Sequence, residues 1–348
     1  MTTDHLDALL RTAGSRGASD LALEPLDDGQ LQAVSRIDGV RMVSGLIATA
    51  RAAMTLARLK GLAGLPAYIT DEPQDGSFDG RPFGISGDVR ISFLPTARGQ
   101  RAALRLPALG ELPGPTGLGL DDAVLAGLRS ALRHPDGLVL MAGPTGSGKT
   151  TTLHSLLTEL VIQRPDRHIV TIEDPVERRL AGITQVAVAA HRGFGFAEAL
   201  TATLRHDPDV IVVGEVRDPL TALACVRAAL TGHLVVTTVH AGRAQDVVPR
   251  LLEMGVDAKL LLPVLHTVVA QRLVRRRHGA CRGEGCMSCS DGYRGRQVVA
   301  DLLVLDAEVR SCLRRGAAPT LSADLDLQAA QLAQSGITTA AELLRVLG

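Results

Sequence analysis

The sequence predicts an α/β protein of two domains, a small α+β domain followed by a larger one built on a parallel sheet. Three observations predict it. A Pro/Gly-rich stretch at residues 107–117 interrupts any regular element, four nearly continuous apolar runs follow with helical segments between them, and a glycine loop sits where the first run ends. Parallel strands covered on both faces need such continuous apolar runs, and their alternation with helices gives crossovers within one sheet.

In chain order, residues 1–106 form the small domain. Residues 31–37 and 89–94 read as short strands, and residues 49–62 as a helix with Ala53, Leu56 and Ala57 at helical spacing. Residues 107–120 read as a linker. Residues 121–348 form the larger domain, with strands at 138–142, 168–172, 210–213 and 234–239 and helices at 151–161, 197–204 and 218–230. From about residue 273 a tail carries a cysteine cluster and ends in short helices. Functional groups of such a sheet gather at the carboxyl ends of its strands. Four polar clusters do so here: the 143–150 loop, Glu173-Asp174, Gly214-Glu215 and His240.

Composition narrows the function. The chain has 348 residues, 46% hydrophobic and 21% charged, as a soluble globular protein has. Its 37 basic and 37 acidic residues cancel, so no global field draws it to nucleic acid or anionic lipid. The run Arg272, Arg275, Arg276 and Arg277 survives the cancellation and reads as a solvated face or a subunit contact. The N-terminus lacks the basic and apolar regions of a signal peptide. The best candidate for a membrane span, residues 260–270, is short and contains His266 and Thr267. Clustered cysteines without an export signal favour a reducing compartment, the cytoplasm, and metal or free thiols over disulfides.

Gly143-Pro144-Thr145-Gly146-Ser147-Gly148-Lys149-Thr150 matches G-x-x-x-x-G-K-[ST], between a predicted strand and a predicted helix. The glycines allow the backbone N–H groups to converge on phosphate oxygens. Lys149, one of three lysines with Lys60 and Lys259, reaches the β- and γ-phosphates in this arrangement. The Thr150 hydroxyl ligates Mg²⁺, and the following helix adds its positive end. The expected ligand is Mg·ATP. Glu215, ending an apolar strand beside the loop, is placed to orient and deprotonate an attacking water. Glu173 and Asp174 are candidates for holding Mg²⁺ through water. A solvated strand-end acid, a capping pair and a structural histidine are the plainer readings of Glu215, of Glu173-Asp174 and of His240.

Residues 204–218, Leu-Arg-His-Asp-Pro-Asp-Val-Ile-Val-Val-Gly-Glu-Val-Arg-Asp, resemble the signature of the secretion and pilus motor ATPases of type II secretion and type IV pilus systems. Residues 172–177 (Ile-Glu-Asp-Pro-Val-Glu) are similar to that family's Asp box and residues 231–240 to its His box. Ala18-Ser19-Asp20, residues 36–39, residues 73–76 and residues 94–96 resemble landmarks of its small domain. The resemblance implies a cytoplasmic hexameric motor with a RecA-like P-loop core and a PAS-like small domain, driving assembly of a pilus or pseudopilus through an inner-membrane platform protein. It makes Glu215 the catalytic Walker-B acid, Glu173 the Asp-box acid and His240 the His-box residue near the γ-phosphate. Arg217 shapes the same pocket, and Arg90 and Arg105 are the candidate small-domain arginines that reach the nucleotide. This sequence departs from the family pattern at Ala241-Gly242, where Thr-Asn is commoner, and at Asp20-Leu21-Ala22-Leu23-Glu24, where the family often has a histidine. It also starts directly with the small domain, without the extra N-terminal domain of larger members.

His278, Cys281, Cys286 and Cys289 precede Gly292-Tyr293-Arg294-Gly295-Arg296, where family members carry two C-x-x-C pairs; His278 stands in the place of the first cysteine. Three thiolates and an imidazole are an accepted Zn²⁺ ligand set. The plainer reading is a remnant with free thiols. Cys225 and Cys312 fall in helical patterns as packing residues. A nucleic-acid translocase or helicase on the same core is the alternative function. Zero Trp and seven Phe plus Tyr leave few stacking platforms for it. The intact Lys149, Thr150 and Glu215 weigh against a non-hydrolysing scaffold.

Overall fold

The computed structural model describes residues 3–107 and 110–348. The chain forms two compact units, Met1–Glu111 and Leu112–Gly348.

The first unit contains α1 (Thr3–Ser15), β1 (Ala18–Pro25), β2 (Leu31–Ile37), β3 (Val40–Ile47), α2 (Thr49–Leu62), β4 (Gln74–Asp79), β5 (Asp88–Thr96) and β6 (Gly99–Arg105). Its strands make one antiparallel sheet in the order β3-β2-β1-β6-β5-β4. Alternation along each strand sends Leu21, Leu23, Ile91, Phe93, Ala102 and Leu104 into a core shared with Leu6 and Leu10 of α1 and Leu59 of α2. The opposite face is polar and carries Arg90, Arg101 and Arg105.

The second unit contains α3 (Asp122–Ala131), β7 (Gly137–Ala142), α4 (Lys149–Gln163), β8 (Ile169–Glu173), β9 (Thr184–Ala187), α5 (Phe196–Thr203), β10 (Val210–Val213), α6 (Pro219–Leu230), β11 (Leu234–Val239), α7 (Val247–Glu253), α8 (Ala258–Val264), β12 (Leu265–Arg277), β13 (Tyr293–Val304), α9 (Ala307–Arg314), α10 (Leu325–Gln334) and α11 (Ala340–Leu347). The sheet order is β13-β12-β7-β11-β10-β8-β9, parallel throughout except for the antiparallel edge strand β13. Both faces are covered. Leu138, Leu140 and Ala142 of β7 pack with Ala199, Ala222 and Val226 on one side, while Val139 and Met141 pack with Leu125, Leu128, Leu153 and Leu157 on the other. That is why the strands read as unbroken apolar runs.

Residues 112–120 pack with this second unit. The Pro113 carbonyl accepts from Ser155 Oγ at 2.6 Å, and Gly119 O from Gln297 Nε2 at 2.5 Å. The arginine run is solvated at Arg276 and Arg277 but not at Arg272 and Arg275. It lies in β12, where the Arg275 side chain is 11% exposed and Arg272 donates to two backbone carbonyls. Residues 260–270, the candidate membrane span, divide between α8 and the start of β12, and no helix among the described residues is long and apolar enough to cross a membrane. Cys225 is buried as a packing residue. Cys312 is only half-buried and donates from its thiol to Ala318 O at 3.2 Å.

Candidate functional site

The parallel order aligns the carboxyl ends of β7, β11, β10 and β8 side by side, about 4.8 Å apart. In the same spatial order, these ends carry the glycine loop, His240, Glu215 and Glu173. Register reinforces this: Ala142 pairs with Val239, Val213 with Thr237, and Val213 with Ile172. Side-chain hydroxyls fix the strand ends. Thr237 Oγ1 donates to Val213 O and Thr238 Oγ1 to Gly214 O, both at 2.8 Å, while Gly214 N donates to Ile172 O and Val216 N to Thr238 O.

The loop fits a polyphosphate. Gly143, Gly146 and Gly148 all have positive φ, and a Cβ at Gly143 would lie 2.5 Å from Gln271 O and 2.6 Å from Ser147 Oγ, so only glycine is accommodated. Ser147 Oγ is buried without a hydrogen-bond partner. Lys149, 9% exposed, donates to Gly143 O at 2.7 Å and Pro144 O at 3.0 Å, which leaves one of its three protons free. Burial pushes the Lys149 pKa below its ordinary value; the Glu215 charge opposes that shift and Arg272 adds to it. Pro144, Thr145, Gly146 and Thr150 are exposed.

Glu215 is 18% exposed, ion-paired with Arg217, and lies 3.6 Å from His240 Nε2. Arg217 and His240 are themselves 67% and 50% exposed. Glu173 is more buried. It accepts from Thr171 Oγ1 at 2.6 Å and Gln185 Nε2 at 2.9 Å, and His154 Nε2 stands 3.5 Å away. Burial alone would raise its pKa, but the bonds from His154, Thr171 and Gln185 outweigh that and hold it below the usual carboxylate value. Asp174 is exposed.

His154, Gln185 and Gln271 are not singled out in the sequence, and Arg272 is read there only as part of a charged run. His154 alone left a signal: it follows Thr150 by four residues and so shares its helix face.

In the first unit Arg90 and Arg105 sit directly opposite each other on β5 and β6, and both are exposed. They line a concavity of about 440 Å³ with Asp20, Arg36 and Arg101. Arg101 and Arg41 pair with Glu24, and Arg36 with Asp20; among the described residues Arg90 and Arg105 have no ion-pair partner.

His278, Cys281, Cys286 and Cys289 converge where β12 and β13 connect, all four donor atoms within 4.8 Å of one another. Cys281 Sγ lies 3.8 Å and Cys286 Sγ 3.7 Å from Cys289 Sγ, and both Cys281 and Cys286 lie 3.4 Å from His278 Nδ1. Tetrahedral zinc with bonds of ~2.3 Å to sulfur separates its sulfurs by ~3.8 Å, so the donors match.

The profile described as Type II/IV secretion system protein matches residues 2–345. This chain belongs to that family. Among its relatives, type II secretion system protein HxcR of Pseudomonas aeruginosa is 40% identical over 368 aligned residues, covering 98% of this chain and 76% of HxcR. The type IV pilus assembly ATPase PilB of Thermus thermophilus is 36% identical over 341 residues, covering 90% of this chain and 38% of PilB. The crystal structure of the pilus retraction motor PilT with bound ADP is similar with a TM-score of 0.62 at 27% identity, covering 98% of this chain and 92% of PilT. The Legionella pneumophila ATPase DotB has the same fold (TM-score 0.75, 22% identity, 97% and 93% covered). The second unit is therefore a RecA-like ATPase core, as the family resemblance in the sequence implies.

Proposed function

We propose that this protein is a cytoplasmic motor that couples ATP hydrolysis to assembly of a type IV pilus or type II secretion pseudopilus, acting as a hexamer on an inner-membrane platform protein. The observation that carries the reading is the row of strand ends holding the glycine loop, His240, Glu215 and Glu173, in a chain that belongs to the secretion family along nearly its whole length.

In this reading the loop amides and Lys149 hold the phosphates, and the Thr150 hydroxyl, with Glu173 and Asp174 acting through water, holds Mg²⁺. The metal supplies charge neutralisation at the phosphates. Glu215 orients the attacking water and takes its proton, with Arg217 and His240 setting the position of its carboxylate. Arg90 and Arg105 offer positive charge to an anion on the small unit's sheet face. Two like charges directly across a strand pair are unfavourable by themselves, and an anion between them relieves the repulsion. His278, Cys281, Cys286 and Cys289 hold Zn²⁺, which ties the β12–β13 connection into a rigid knuckle.

The test is a pair of variants. Lys149→Ala loses ATP binding. Glu215→Gln keeps ATP and loses about 10²–10⁴-fold in kcat, because only water activation is removed. Hydrolysis by Glu215→Gln at the wild-type rate refutes the assignment of the base.

A further inference from the structure

On the side of β7 away from β11, strand β12 carries two side chains that have no part in the proposed hydrolysis. Gln271 is fully buried and grips the glycine loop and the helix behind it: Nε2 donates to Ser147 O at 2.7 Å, and Oε1 accepts from Thr152 Oγ1 at 3.0 Å. Its backbone carbonyl lies 2.5 Å from where a Cβ on Gly143 would stand, and its Nε2 2.7 Å from where one on Gly148 would stand. One residue on, Arg272 Nη1 donates to that same Gln271 carbonyl at 3.0 Å, and Nη2 donates to Gly242 O at 2.7 Å, two residues beyond His240. Two neighbours on one strand thus join the glycine loop to the His240 loop.

Arg272 is half-buried, and both its bonds go to neutral carbonyls. The nearby Asp301 carboxylate is already engaged by Arg243 at 2.8 and 3.0 Å, by Ala244 N at 3.1 Å and by Leu325 N at 2.9 Å. The Arg272 charge is felt at Lys149, where it disfavours the ammonium. Only a planar guanidinium offers two donors fixed in a fork between two carbonyls; a lysine ammonium does not. At its far end the His240 loop is anchored as well, through Arg243 to Asp301 on β13 and to Asp326 at 2.5 Å.

We propose that Gln271 and Arg272 are a positioning pair that couples binding of a nucleotide polyphosphate in the 143–150 loop to the placement of His240. A shift of the loop on its phosphates passes through Ser147 and Gly143 to Gln271, and through the Arg272 fork to Gly242. Arg243 and Asp301 hold the other end of that loop, so the displacement is delivered at His240. The inference rests on the reading of residues 143–150 as the ATP site.

The test uses the full chain, a fluorescent ADP analogue with Mg²⁺ for affinity, and steady-state ATP hydrolysis for kcat. Gln271→Met is close in volume and removes two hydrogen bonds to the loop region, so nucleotide binding weakens about tenfold. Arg272→Met keeps affinity within about twofold and lowers kcat about tenfold, with Arg272→Lys intermediate. Combined with His240→Ala, Arg272→Met adds no further loss, because it acts through His240. A wild-type kcat in either Arg272 variant overturns the proposal, as does a loss that multiplies with that of His240→Ala. Thermal melts of Arg272→Lys separate a folding defect from a kinetic one. If the wild type neither binds nor hydrolyses ATP, the ATP reading falls and the coupling with it. A competent wild type with silent Arg272 variants removes the coupling alone.

Discussion

Replacing Glu342 by glutamine loosens the C-terminal helices in an amount the structure specifies. The Glu342 side chain is 0% exposed and pins α11 to β12. It accepts from Arg275 N and Nε at 2.9 Å each, and from Arg345 Nε at 2.8 Å and Nη2 at 2.5 Å. Arg275 in turn stacks over the Tyr293 ring at 4.0 Å, and Tyr293 Oη meets Thr339 Oγ1 at 2.7 Å. Burial works against the Glu342 carboxylate, but the two arginines overcome it and bring its pKa from 4.5 down to about 2. Such a shift corresponds to about 3 kcal/mol of stability at neutral pH. Because Arg345 is 40% exposed and screened by water, about 2–3 kcal/mol is the better figure. Glutamine keeps the shape but sets an amide donor against guanidinium donors. The assay is amide hydrogen exchange across α11, which can open without global unfolding. A carboxylate with a depressed pKa stabilises the fold above its unfolded value and loses that effect as pH falls toward its folded one. The gap between wild type and Glu342→Gln is therefore full at pH 7 and shrinks by more than half near about pH 3. Equal protection of α11 in both proteins at pH 7 refutes the reasoning.

Two further predictions concern other parts of the ATPase core. His266 stacks on His134 with ring centroids 4.2 Å apart, and burial first, then the His134 charge, lowers its pKa from 6.5. The unfolded chain therefore takes up the proton first, and stability is lost as pH falls below about 6.5. Thermal melts at about pH 7.5 and about 5.5 should show that loss, and His266→Asn should reduce it; an unchanged pH dependence contradicts the assignment. Freshly purified protein should contain about one zinc per chain by elemental analysis, with Cys286→Ser losing it and destabilising the β12–β13 connection. Metal-free protein with an equally stable tail removes zinc from the account.

The sequence was most legible where periodicity was undiluted. Residues 210–213, 234–239 and 49–62 are strands and helix with the limits their apolar patterns give. The motif loop and the acids at strand ends could be placed because a parallel sheet collects such groups at one edge. Strand β12 was obscured by its own charge. Four arginines in six positions look solvated, and for the two that are not, Arg272 and Arg275, the partners are distant: Glu342 lies 67 residues from Arg275. Gln271 is a lone amide at the end of an apolar run, and nothing local indicates that it reaches Ser147 and Thr152, 124 and 119 residues away. The facing of Arg90 on Arg105 likewise depends on the β5–β6 register, which composition does not carry.

The central claim is that ATP is hydrolysed here by a ring that does work. The most direct measurement is ATPase activity per chain against protein concentration, read beside mass photometry with a non-hydrolysable ATP analogue. The account predicts activity that rises to a plateau as six-membered rings form. A monomer at every concentration, with constant activity per chain, contradicts it.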